Sequence, residues 1–242
     1  MKNLLGIFVV IFLNTTGDTE TKTELKTYAK QNGISKNLLK KQNKMANLKD
    51  VNFDYIKKWE GGLSCHKLDS ASRHVVPDTA EYPNPKGYHT NVGVTFQAWA
   101  SIHGRSDKSV RDFYKMPKEK WVQVYKWYWD VVGGSRINNQ IIAEFCADFA
   151  WGSGTTACFQ MQKFLNSEYG YELGVDGKIG KRSIYAMNEA IKKEGPVNVY
   201  KALYEWRCDW IKGIPSFKDF GRGWMNRLED FHQWALGVLE SE

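Results

Sequence analysis

From residue 52 onward, apolar positions recur mostly at helical spacing, and that periodicity predicts a mainly α protein. Asn52 is placed to cap a short helix with Phe53, Ile56 and Trp59 on one face, which Gly61-Gly62 would end at Glu60. Thr95 caps a segment over 96–103 that Gly104 stops, and a short segment follows near 108–115. Pro117 suits the first position of a helix reaching about Val132, before Gly133-Gly134. Three further amphipathic segments cover 137–151, 155–169 and 182–193; Pro196 starts another to about Lys212, and a last one runs over 221–239. Between 63 and 94 the period is lost among Pro77, Pro83, Pro85, Gly87 and Gly93. That stretch predicts a long loop with at most a small hairpin, and loops of such length inside a compact domain tend to be functional.

Ahead of the periodic region the pattern changes twice. Lys2 precedes an apolar run from Leu4 to Leu13, too short for a straight membrane span of ~20 residues. It matches the apolar core of a secretory signal, although no small-x-small cleavage site follows; an uncleaved anchor, or a start at Met45, are the alternatives. The chain therefore divides into a signal-like or anchor segment at 1–17, a Lys-rich linker at 18–47, a catalytic region at 48–135, and a helical region at 136–242 packed on it. Export to the periplasm or beyond follows, or retention in a host cytoplasm until lysis if the gene is carried by a phage. Membrane contact is expected only through residues 4–13.

Charge and cysteines narrow the classes. The net charge is +7, but residues 16–50 hold eight Lys against four acids and Lys2 adds one, so the periodic part is close to neutral. That distribution argues against a nucleic-acid-binding body, and a solvated arm is the default reading. Cys65, Cys146, Cys158 and Cys208 show no Cys-x-x-Cys pairing, and the five His lack an i, i+4 pair, so neither metal nor cofactor is expected. Cys146 and Cys158 fall in apolar helical patterns and read as buried thiols; an even count leaves disulfides open for an exported chain.

Glu60 carries the candidate chemistry. A carboxyl at a helix C-terminus meets the negative end of the dipole, and packing near Trp59 adds desolvation; both favour the protonated form that a general acid needs. Breaking a glycosidic bond requires such a donor and a second group on the attacking side. Asp69 follows Glu60 after eight residues and is the candidate for the second role, with Asp78 and Glu81 in the same loop as substitutes. Thr90 is placed to orient a water. Tyr88, Asn91, Trp99, Asp148 and Trp151 are the candidates for contacting a glycan. Asp176-Gly177 reads as a tight interhelical turn, and Gly223-Trp224-Met225-Asn226-Arg227 as helix packing with a polar clamp.

In combination these strings resemble glycoside hydrolase family 108, the phage- and prophage-type N-acetylmuramidases. The resemblance rests on Glu60-Gly61-Gly62, Asp69, the run Thr90 to Thr95, and Tyr128-Trp129-Asp130. A second part is similar to the peptidoglycan-binding domain that accompanies that family, through Asp148, Trp151, Gln162, Asp176-Gly177, Ile179-Gly180, Gly223-Trp224 and Asn226-Arg227. The likeness implies a lysozyme-like helical fold with a small irregular or β insert beside the catalytic Glu. It implies a monomeric endolysin that cleaves the β-1,4 bond between N-acetylmuramic acid and N-acetylglucosamine of bacterial peptidoglycan. A lytic transglycosylase on the same scaffold, or a non-catalytic wall-binding or virion protein, are the alternatives. The chain departs from the pattern in two places: twenty residues separate Asp69 from Thr90, and His66 stands where the family has its first loop aspartate.

Overall fold

The computed structural model describes residues 44–240; the signal-like segment 1–17 and nearly all of the linker 18–47 lie outside them. Nine α-helices make up most of the described chain: α1 Phe53–Lys58, α2 Phe96–His103, α3 Asp107–Lys115, α4 Lys118–Val131, α5 Gln140–Ser153, α6 Thr156–Tyr169, α7 Lys181–Glu194, α8 Pro196–Lys212 and α9 Phe217–Leu239. The one sheet among the described residues is a two-stranded hairpin, β1 Thr90–Asn91 and β2 Val94–Thr95, so the mainly α expectation holds. None of the described helices is long and apolar enough to cross a membrane.

Helix α5 explains the arrangement. Every residue from Ile141 to Trp151 is buried, and a helix buried on all sides must lie in the middle of the fold. Helices α4, α6, α8 and α9 pack around it. One hydrophobic cluster runs from Ala46 to Leu239, so the residues on either side of position 136 share a single core. The described chain enters this core at once: Ala46 donates its N–H to the Ile137 carbonyl, and Asn47 to Gln140 Oε1 at 2.8 Å.

Most helix limits follow the local chemistry. Asn52 accepts from the Tyr55 N–H, Thr95 caps α2 through the Ala98 N–H, and Pro196 occupies the start of α8. Helix α9 begins before Gly221, the expected start. The Phe217 ring lies where a Gly221 Cβ would stand, so the glycine is there for packing and not as a boundary. The Asp176-Gly177 turn is clamped by buried Gln162, which donates to Asp176 Oδ1 at 2.9 Å and accepts from the Gly177 N–H at 2.8 Å.

Two acids interrupt the apolar run of α5. Glu144, Asp148 and Trp151 are spaced i, i+4, i+7 and form one stripe. Glu144 accepts from Gln140 at 2.7 Å and faces the Asn52 N–H at 3.5 Å, so it contacts the start of α1. Burial, reinforced by nearby Asp50 and opposed by the bonds to Gln140 and Asn52, pushes its pKa up to about 7. Between the ordinary carboxylate range and that value the folded protein holds a proton that the unfolded chain has released. Stability therefore falls as pH rises through this window and levels off above it. Glu144→Gln is expected to be more stable than the parent by about 2–3 kcal/mol at pH 8, with the difference closing toward pH 4.5. Denaturant titrations at the two pH values measure this; a pH-independent difference contradicts it.

Candidate active site

The segment that delivers Glu60 is held from both sides. Phe53 on α1 meets Trp121 and Tyr125 of α4 edge-on, while Tyr55 stacks on Trp234 of α9 at 5.2 Å between ring centroids. Helix α1 ends at Lys58 with Trp59 as its C-cap, and the Glu60 N–H bonds the Lys57 carbonyl at 3.0 Å. The expectation that Gly61-Gly62 terminate the helix is corrected. Neither glycine has a positive φ, and a Cβ on either would meet nothing within 4 Å. One turn of α9 grips residues 58–60, where the helix ends. Asp230 accepts from the Trp59 indole at 2.8 Å and pairs with Lys58 at 2.6 Å, and Arg227 reaches Glu60.

The Glu60 carboxyl is nearly enclosed, its side chain 10 % exposed. Oε1 accepts from Trp151 Nε1 at 2.8 Å and from Arg227 Nη1 at 2.5 Å. Oε2 lies against Gly93, where a Cβ would overlap it, and takes no hydrogen bond from the described residues. One oxygen is thus fixed and the other left for a reacting group. Gly93 owes its position to the hairpin: with Thr90 opposite Thr95 and Asn91 opposite Val94, a two-residue loop remains. Both loop residues have positive φ, Val92 at 45° and Gly93 at 72°, as a type I′ turn requires. A β-branched residue is strained there, at a cost of about 1–3 kcal/mol. The Trp121 indole donating to the Val92 carbonyl at 2.9 Å helps hold it.

Behind Glu60 the charges alternate in a chain. Arg227 Nη2 donates to Asp148 Oδ1 at 2.6 Å, and Arg207 Nη1 to Asp148 Oδ2 at 2.8 Å. The Asp148 side chain is 2 % exposed. Burial alone would raise its pKa, but Arg227 and Arg207 more than offset that and hold it below the usual carboxylate value. Burial also works against the charge of Arg227, yet Asp148 and Glu60 overcome it and its pKa is raised. Glu60 is therefore paired with a largely buried guanidinium, a partner that its neighbours in sequence do not supply.

The other sequence candidates divide clearly. Trp151 is in the site, packed against Trp121, Tyr125 and Tyr128. Asp148 is buried and reaches Glu60 only through Arg227, so the expectation of a glycan contact is corrected: it lies behind Glu60. Trp99 is also corrected: it is fully buried, its indole bonded to the Ser109 carbonyl and hydroxyl, and it lines no cleft. Asn91 is buried with its amide donating to the carbonyls of Phe113 and Tyr114, so it ties the hairpin to the end of α3 and faces no ligand. Tyr88 is half-buried, with its backbone anchored by Asn84.

Asp69 and Asp78 are used within the loop, and Glu81 reaches across to α3. Asp69 caps the 3-10 turn Ser70–Arg73 through the Ala71 N–H at 2.9 Å, and no hydrogen bond or ion pair joins it to Glu60 or Arg227. Asp78 accepts from the Asn84 N–H, and Glu81 pairs with Arg111. The Thr90 hydroxyl bonds the buried His89 ring at 2.9 Å. All four cysteines are free, Cys65 exposed and the other three buried.

Arg227 and Gly93 were not singled out from sequence as site residues. The signal for Arg227 is indirect: an acid such as Asp148 inside an apolar helix requires a cation, and Arg227 sits in the polar end of the α9 motif. For Gly93, the two-residue spacing between β-prone pairs points to a turn with positive φ.

Residues 53–154 match the family model described as Glycosyl hydrolase 108, a segment that includes Glu60, Gly93, Asp148 and Trp151. The match covers less than half of the chain and marks this segment as similar to a glycosyl hydrolase. Among curated proteins none matches the chain. A solved structure titled "Structure of Brucella abortus SagA" superposes with a TM-score of 0.56 at 24 % identity, over 76 % of this chain and 91 % of that one. That likeness concerns the fold, which is mainly α and lysozyme-like.

Proposed function

We propose that this chain is an exported N-acetylmuramidase that cleaves the β-1,4 bond between N-acetylmuramic acid and N-acetylglucosamine, with Glu60 as its general acid and base. The observation that carries this reading is the asymmetric seat of Glu60, one oxygen bonded by Arg227 and Trp151 and the other unbonded against Gly93. In the reacting form a proton on Oε2 passes to the glycosidic oxygen as the C1–O bond breaks. The negative charge then developing on the carboxylate meets donors already in place, so the interaction strengthens as the reaction proceeds. A water adds to C1, and its proton returns to Glu60. Arg227, Asp148 and Trp151 come from residues 136–242, so in this reading that region is part of the catalytic unit. Asp69 and Thr90 shape the loop that borders it.

A second reading, lytic transglycosylase, is favoured by one observation: among the described residues, no second carboxylate meets Glu60 except Asp148 through Arg227. Mass spectrometry of muropeptides from purified peptidoglycan separates the two. Hydrolysis at muramic acid leaves a reducing end carrying the mass of water, whereas transglycosylation leaves a 1,6-anhydro end without it. Binding to the wall with no new ends released would defeat both.

A further inference from the structure

Of the ten tryptophans in the sequence, nine are buried or half-buried, and Trp127 alone is exposed, at 44 %. No hydrogen bond holds its indole N–H, and the α4 helix that carries it has its core face filled by Trp121, Val124, Tyr125 and Trp129. The fold therefore makes little use of this side chain. Its surroundings are nonetheless ordered. The Tyr128 ring meets Trp127 edge-on at 4.8 Å, and the opposite neighbour of Tyr128 is Trp151, at 5.3 Å. Trp151 in turn donates to Glu60. Aromatic rings thus run without interruption from the candidate acid to the surface. The long side chains beside Trp127 on the same helix are tied to each other, Lys126 to Asp130.

The geometry points to Trp127, braced by Tyr128, as a glycan-stacking subsite that binds an N-acetylhexosamine ring of the strand whose scissile bond lies at Glu60; it rests on the hydrolase reading above. The C–H face of a pyranose ring is apolar and flat, and an exposed indole offers a matching surface with a polar edge. The edge contact with Tyr128 restrains the ring before binding, which reduces the entropy lost when sugar docks. A platform on a packed helix also holds a fixed distance from Glu60, as productive placement of the bond requires.

The test uses the full chain. In a Glu60→Gln background, which separates binding from turnover, co-sedimentation with insoluble peptidoglycan is compared for Trp127, Trp127→Ala and Trp127→Tyr. Alanine is expected to weaken binding between about threefold and tenfold, with tyrosine restoring most of it and the thermal midpoint unchanged in both. With Glu60 present, Trp127→Ala should raise KM by a similar factor and leave kcat close to the parent value. Equal sedimentation of all three proteins overturns the subsite, as does a tyrosine variant no better than alanine. If the parent releases no sugar ends, the hydrolase reading fails on its own, and the sedimentation contrast still decides whether Trp127 binds glycan.

Discussion

Glu60→Gln should reduce the release of reducing ends from peptidoglycan by about 10²–10⁴-fold while the protein stays folded. Glutamine keeps the shape of the side chain and an oxygen that can accept from Trp151 Nε1 and Arg227 Nη1, so the pocket loses little packing. What it cannot do is carry a transferable proton on the atom that lies against Gly93. Arg227 keeps its bond to Asp148, so its charge is not stranded. Turbidity clearing and muropeptide analysis measure the activity, and a thermal melt close to that of the parent excludes unfolding as the cause. Clearing at the parental rate would remove Glu60 from the mechanism.

Replacing Arg227 with methionine is expected to have the largest effect on stability, about 3 kcal/mol or more. Arg227 joins two carboxylates that are both largely withdrawn from water, and the truncation leaves Glu60 without a cation and Asp148 with Arg207 alone. Breaking a buried pair from one side costs more than the pair is worth intact, because the remaining charge stays desolvated. Turnover should also fall under conditions where the variant is folded, since Glu60 loses one of the two donors on Oε1. Arg227→Lys tests the geometry: an ammonium supplies the charge but cannot bridge Glu60 and Asp148 as the planar guanidinium does, so it should recover stability more than activity. Denaturant midpoints and turnover measured on the same preparations give both quantities. Full activity in folded Arg227→Met would show that α9 only supports the fold.

How far the site could be read from sequence differs residue by residue. Glu60 was legible as a candidate because its string is short and the chemistry that suggests it is local. The hairpin was legible as turn chemistry between Thr90 and Thr95, although its strained Val92 was not. Asp69 looked like a catalytic partner from its spacing, yet in the structure its carboxylate caps the next turn, the commoner use of an aspartate before two serines. Trp99 and Asn91 differ from expectation for a related reason: a tryptophan or asparagine near a candidate site reads as a ligand contact, while burial and hydrogen-bond demand place both inside. The partner that matters most to Glu60 lies far along the chain at Arg227, and no spacing rule connects them.

The sequence by itself determined most of the helical segments, several of their caps, the broken stretch between residues 63 and 94, and Glu60 as the candidate acid. These depend on interactions within a few residues, such as periodic burial, capping side chains and the backbone limits of glycine and proline. Only the tertiary structure decided which oxygen of Glu60 is free, which cation stands behind it, and which tryptophan is left facing solvent. Those features arise where α1, the hairpin, α5 and α9 meet, and a charge buried at such a junction is balanced by whatever the packing brings near, not by its neighbours in sequence.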